Sequence, residues 1–128
     1  MATFRKFEDI EVWKLGRQLV KVVYKMTAGC VGQADHGLRD QIQRAAVSIP
    51  SNIAEGYSRR GNREFLNFLW IAKGSAAEVQ SQLYHFTDLK LASRIECKGI
   101  YDLANEISVK LYRLMQTLSS SPDHTKAL

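Results

Sequence analysis

The chain has 128 residues, 45% of them hydrophobic, and a formal net charge of +5. That length fits one domain, and that apolar content suffices for a buried core. No apolar run is long enough to span a membrane, and the N-terminus Met1-Ala2-Thr3-Phe4-Arg5-Lys6 lacks the apolar core of a secretory signal, so a cytoplasmic location is expected.

Only two prolines occur, and long turn-forming clusters are few, which favours long helices over many short strands. Cys30 and Cys97 stand alone and read as reduced thiols. Residues 1–63 hold eleven Lys/Arg and six Asp/Glu, whereas residues 64–128 hold seven of each. The excess positive charge therefore lies in the first half, and a localised excess suits a polyanionic partner. The same charge also fits a solvated basic face, and composition leaves both readings open.

The first helix is expected from about Glu8 to about Thr27. Glu11, Lys14, Gln18, Lys21 and Lys25 form its polar stripe; Val12, Leu15, Leu19, Val22 and Met26 oppose it. Ile10, Trp13, Val20, Val23 and Tyr24 widen the apolar surface beyond what one seam needs, which points to a thicker core or an oligomer contact. Gly16 costs helix stability and is best used for close helix contact.

A turn over residues 28–34 leads to Asp35, a suitable N-cap for the second helix, which runs to about Ser58. Leu38, Ile42, Ala45, Ile49 and Ile53 share one face. Pro50 lies inside that pattern, where it removes a donor and bends the helix. The apolar stripe keeps its phase through the proline, so a continuous kinked helix is expected rather than two helices.

The third helix is expected from about Arg63 to about Leu89, with Phe65, Phe68 or Leu69, Ala72, Ala76, Val79, Leu83 and Phe86 as its stripe. Gly74-Ser75-Ala76-Ala77 is a small-residue patch to receive the second helix, and Trp70 falls off the main stripe. Ser93-Arg94-Ile95-Glu96 matches a capping box for the fourth helix, which carries Ile100, Leu103, Ile107, Leu111, Leu114 and Leu118 to about Leu118. Residues 121–128 read as a disordered tail. The expected fold is an all-α, antiparallel up-down-up-down four-helix bundle in one domain over residues 1–120.

No catalytic constellation emerges. His36, His85 and His124 are scattered, no metal-ligand spacing or phosphate-binding loop is present, and no serine has an obvious base, so no enzyme activity, metal or cofactor is expected. Glu55 near the basic loop is best read as an ion-pair partner of an arginine. The candidate nucleic-acid contacts are Arg44, Arg59, Arg60 and Arg63, with Lys14, Lys21 and Lys25 on the first helix and Arg39 in support. Tyr57 is placed to stack on a base. No base-reading motif accompanies them, so contact with phosphates, largely independent of sequence, is expected. The competing reading has these arginines paired with acids on neighbouring helices. Trp13, Tyr24 and Trp70 are the candidate oligomer contacts.

Three stretches carry a resemblance: Phe7-Glu8-Asp9-Ile10-Glu11-Val12-Trp13-Lys14; residues 37–56, with Ala45-Ala46-Val47-Ser48-Ile49-Pro50-Ser51-Asn52-Ile53-Ala54-Glu55-Gly56 at their centre; and residues 65–82 with Ala72-Lys73-Gly74-Ser75. Over about residues 4–118 the chain resembles the four-helix-bundle proteins encoded by intervening sequences in bacterial 23S rRNA genes. The resemblance implies a homopentameric ring with a basic surface. It extends to the accessory variability protein of diversity-generating retroelements, which implies nucleic acid and a reverse transcriptase as partners, and no catalytic residue. Gln43 stands where such proteins often have a basic residue, and residues 28–34 lack their usual Phe-Pro-like turn.

Overall fold

The computed structural model describes residues 4–30, 36–59 and 61–120. A turn of 3-10 helix over Phe7–Asp9 precedes four α-helices: α1 Glu11–Ala28, α2 His36–Ser58, α3 Asn62–Asp88 and α4 Arg94–Ser119. The described residues contain no strand. Among the described residues each helix packs closely against two neighbours, α1 on α2 and α4, and α3 on α2 and α4. That adjacency is a four-helix bundle around one core.

Side-chain pairs fix the directions. Gln82 reaches Gln41 near the start of α2, Ser75 meets Ser48 at its middle, and Phe68 packs on Gly56 near its end, so α3 ascends as α2 descends. Asn62 at the start of α3 donates to the Leu118 carbonyl at the end of α4, and Gln80 donates to the Tyr101 carbonyl, so this pair is antiparallel too.

The first helix starts later than expected. The segment before Glu11 is a 3-10 turn, and Ile10 adopts an extended backbone (φ −77°, ψ 117°) that separates it from α1. Ile10 is nevertheless buried, so the turn folds the N-terminal segment back on the core. The expected apolar face of α1 is also rotated. Val12, Leu19, Val23 and Met26 are buried, whereas Leu15 and Val22 are half-buried. Of the apparent surplus on α1, Val23 enters the core, Trp13 and Val20 are half-buried against it, and Tyr24 stays exposed.

α2 continues through Pro50 without a break, as its unbroken stripe implied, with Ile42, Ala45, Ile49 and Ile53 buried and Leu38 half-buried. Asp35, the expected N-cap, lies outside the described residues, as do most of the first turn and the C-terminal tail. Gln43 donates to Thr27 Oγ1 at 2.9 Å and ties α2 to α1.

On α3 the buried stripe is Phe65, Leu69, Ala72, Ala76, Val79, Leu83 and Phe86, with Phe68 displaced towards Gly56. The small-residue patch is divided. Ser75 and Ala76 are buried and Ser75 bonds Ser48 at 2.9 Å, but Gly74 faces open space and receives no helix. α3 ends in a Schellman motif: the Leu91 N–H reaches the Phe86 carbonyl at 2.8 Å and the Lys90 N–H the Thr87 carbonyl at 3.1 Å, with Lys90 left-handed at φ 58°. The Ser93 side chain accepts the Glu96 N–H at 3.1 Å and caps α4. On α4, Ala104 and Met115 join Ile100, Ile107, Leu111 and Leu118 inside, while Leu103 and Leu114 are only half-buried.

Candidate nucleic-acid surface

The arginines nominated from the sequence do not form one patch. Arg44 lies in the first half of α2 and Arg59 just beyond its end, fifteen residues apart, about 22 Å along a helix. Arg44 Nε pairs with Asp40 Oδ2 at 2.9 Å on the exposed surface. Arg59 Nη2 pairs with Glu55 Oε2 at 2.9 Å, its Nε lies 4.0 Å from Glu64, and its guanidinium sits 5.1 Å over the Phe68 ring. Two of the nominated cations are thus already answered by carboxylates, and Glu55 is an exposed ion-pair partner. Such surface pairs are weak, so a phosphate can still compete for these guanidiniums.

Arg63, in the first turn of α3, is exposed and has no carboxylate partner among the described residues. Arg60 lies outside the described residues. Lys14, Lys21 and Lys25 are exposed on α1, spread over about 16 Å, and Lys14 adds a favourable field at Glu11. Arg39 is half-buried and contacts His36.

Tyr57 is not free to stack on a base. Its hydroxyl donates to the Phe4 carbonyl at 2.6 Å, and its ring meets Phe4 and Phe65 edge-on, with centroids 6.2 and 5.8 Å away. Burial, and next to it the Asp9 charge, push its phenol up from the ordinary value. Its work is to close the N-terminal segment over the α2–α3 end of the bundle.

The three candidate interface aromatics also differ. Trp13 is half-buried, packed edge-on against Phe7 at 5.1 Å with Arg17 over its ring, so it belongs to the cover of the core. Tyr24 and Trp70 are open, 46% and 54% exposed.

The sequence reading missed a grouping on the far side. The Trp70 and Tyr112 rings meet across α3 and α4 at 6.5 Å, and Tyr112 also lines a groove of about 430 Å³ with Lys73 and Arg113. Tyr84 and Tyr101 form a second cross-helix pair at 6.2 Å, next to a larger groove of about 800 Å³ that also contains Ile95 and Cys97. Off-stripe aromatics at Trp70, Tyr84 and Tyr112 were a signal, but their pairing requires the α3–α4 register.

Among the described residues no three of His, Cys, Asp or Glu gather to hold a metal, and no helix is long and apolar enough to cross a membrane. Cys30 and Cys97 are buried free thiols; burial first, and then the Glu96 charge, push the Cys30 thiol up, and its Sγ faces the Leu91 carbonyl at 3.0 Å. That is an unreactive setting.

The profile of the 23S rRNA-intervening sequence protein family matches residues 8–113, and the chain belongs to that family. No curated protein matches it. Among solved structures, it is similar to a crystal structure of a protein of unknown function from the S23 ribosomal protein family of Bacteroides thetaiotaomicron. The TM-score is 0.77 at 23% identity, over 82% of this chain and 98% of the other, and the likeness is one of fold.

Proposed function

We propose that this member of the 23S rRNA-intervening sequence protein family is a non-enzymatic, homo-oligomeric bundle that binds nucleic acid through its basic exterior, largely independently of sequence. The observation that carries the reading is a set of exposed cations without carboxylate partners among the described residues: Arg63, Lys21 and Lys25. Unpaired surface cations release counterions when a phosphate backbone docks, and this gives affinity without base reading. Assembly of several copies into a ring would join small patches into one surface and raise avidity. The family's link to rRNA genes favours RNA as the ligand.

The test is titration of nuclease-treated protein against labelled single-stranded and duplex RNA and DNA at several salt concentrations. Affinity falling steeply with salt is the expected result, and its slope gives the number of phosphate contacts. Absence of binding at low salt overturns the reading.

A second reading, a scaffold docking an acidic protein or a reverse transcriptase, draws support from the apolar groove of about 800 Å³ beside Tyr84 and Ile95, the latter 87% exposed. Capture of one defined protein after nuclease treatment, with no salt-sensitive nucleic-acid binding, would favour it.

A further inference from the structure

Of the nine large hydrophobic residues exposed in the described chain, seven lie on α3, on α4 or in the turn between them, so the unsatisfied face of the bundle is there. Its two ends differ in charge. The Tyr84 end includes Asp88 beside Arg94 and Lys98, and Lys98 is held by Asp102 at 2.6 Å. At the Trp70 end, Lys73 and Arg113 have no carboxylate partner among the described residues.

The Trp70 and Tyr112 rings stand at this basic end, 54% and 46% exposed, with their planes 67° apart. Edge-to-face contact props the two rings against each other and leaves ring surface open to solvent. Arg63 precedes Trp70 by seven residues, two helical turns or about 10 Å, and so lies on the same side of α3. Cations without a carboxylate partner among the described residues thus run from the first turn of α3 past two open rings, and Ser108 and Gln116 supply hydrogen-bonding groups in the groove beside Tyr112.

We propose that this end of the α3–α4 face is a stacking site for unpaired bases of single-stranded nucleic acid, with Trp70 and Tyr112 against base faces and Lys73, Arg113 and Arg63 against phosphates. The proposal rests on the nucleic-acid reading above and names its substrate class. Bases in a duplex cover their own faces, whereas an unpaired strand offers them to aromatic side chains. An apolar protein surface seated here would desolvate Lys73 and Arg113 without an answering charge, which a phosphate backbone supplies. Trp70, expected from the sequence at an oligomer contact, serves the nucleic acid instead.

The experiment uses the full chain carrying Trp13→Phe, which keeps a ring against Phe7 and leaves Trp70 as the single tryptophan. A fluorescently labelled twelve-nucleotide oligo(U) is titrated while its anisotropy and the Trp70 emission are followed together. Quenching of Trp70 with the same midpoint as the anisotropy is expected. Trp70→Ala and Tyr112→Ala, in the otherwise unaltered chain, should each weaken single-strand binding roughly tenfold, leave duplex binding near its parent value, and leave the helical circular dichroism unchanged. Trp70→Phe, which keeps a ring, should retain most of the affinity.

An anisotropy change with unaltered Trp70 emission overturns this site and leaves the broader reading standing. No anisotropy change at low salt overturns both. Trp70 emission that shifts with protein concentration in the absence of oligonucleotide assigns the face to a second copy of the chain and also overturns the proposal.

Discussion

Gly16 lies against Pro50: a methyl group on Gly16 would come within 3.3 Å of the proline Cδ, 3.4 Å of its nitrogen and 3.2 Å of Ile49 Cγ2. The residue that lacks a side chain on α1 therefore faces the residue that lacks an N–H on α2. Inside α2, Pro50 has no N–H to donate to the Ala46 carbonyl. Gly16→Leu should lower the unfolding free energy by about 1–3 kcal/mol in urea melts, through overpacking. Gly16→Ala should change it much less, because a gain in helix propensity of about 1 kcal/mol offsets the contacts of 3.2–3.4 Å with Ile49 and Pro50.

Lys90 holds a left-handed backbone at the C-terminal cap of α3, φ 58°. That conformation disfavours a residue with a Cβ and suits glycine. Lys90→Gly is expected to stabilise the fold by roughly 1 kcal/mol, read as a higher urea midpoint with an unchanged slope.

Tyr57 links the end of α2 to the N-terminal segment through its 2.6 Å bond to the Phe4 carbonyl. Tyr57→Phe keeps the ring packing and removes that bond, so a loss of about 0.5–1.5 kcal/mol is expected. Faster amide exchange should follow at residues 7–10. In the parent protein the raised phenol value means the neutral form stabilises the fold below the ordinary tyrosine range, and that stabilisation is lost as pH rises through the folded value. Tyr57→Phe should remove this alkaline component.

Lys110 on α4 donates to Glu11 Oε1 on α1 at 2.6 Å, joining the first and last helices. That hydrogen bond, and then the lysine charge, hold the Glu11 carboxyl below its ordinary value. The folded value lies below the unfolded one, so the pair stabilises the fold above the ordinary carboxylate range and its contribution disappears as pH falls through the folded value. Glu11 is exposed, so the effect is modest and sensitive to salt. Glu11→Gln should show a shallower loss of urea resistance between neutral pH and about pH 3 than the parent. In Lys110→Met the Glu11 carboxyl should titrate closer to its ordinary value by NMR.

Charge reversal separates the two groups of arginines. Arg60→Glu with Arg63→Glu should weaken binding to every sequence alike and reduce the salt slope by about two. Arg44→Glu, at a residue already paired with Asp40 and about 22 Å from that end of the bundle, should have a smaller effect. Equal losses in the two variants would show that the contacted surface reaches from the start of α3 back to Arg44 on α2.

The sequence by itself determined the four helices, their order and most of their inward faces, because apolar spacing, the Ser93 cap and the unbroken stripe through Pro50 are local properties of the chain. It also marked Gly16 as a contact residue, since a mid-helix glycine needs a packing reason. Local spacing could not fix how far each helix is rotated about its axis. Val23 replaces Val22 inside, and Ala104 and Met115 replace Leu103 and Leu114, because each helix faces two neighbours at an angle set by the whole bundle. The surface chemistry was less legible still. Glu64 approaches Arg59 from the next helix, the Tyr57 hydroxyl is claimed by a carbonyl fifty-three residues away, and Trp70 meets Tyr112 across forty-two residues of chain. These pairings depend on the axial register of antiparallel helices, which only close packing of the assembled core decides.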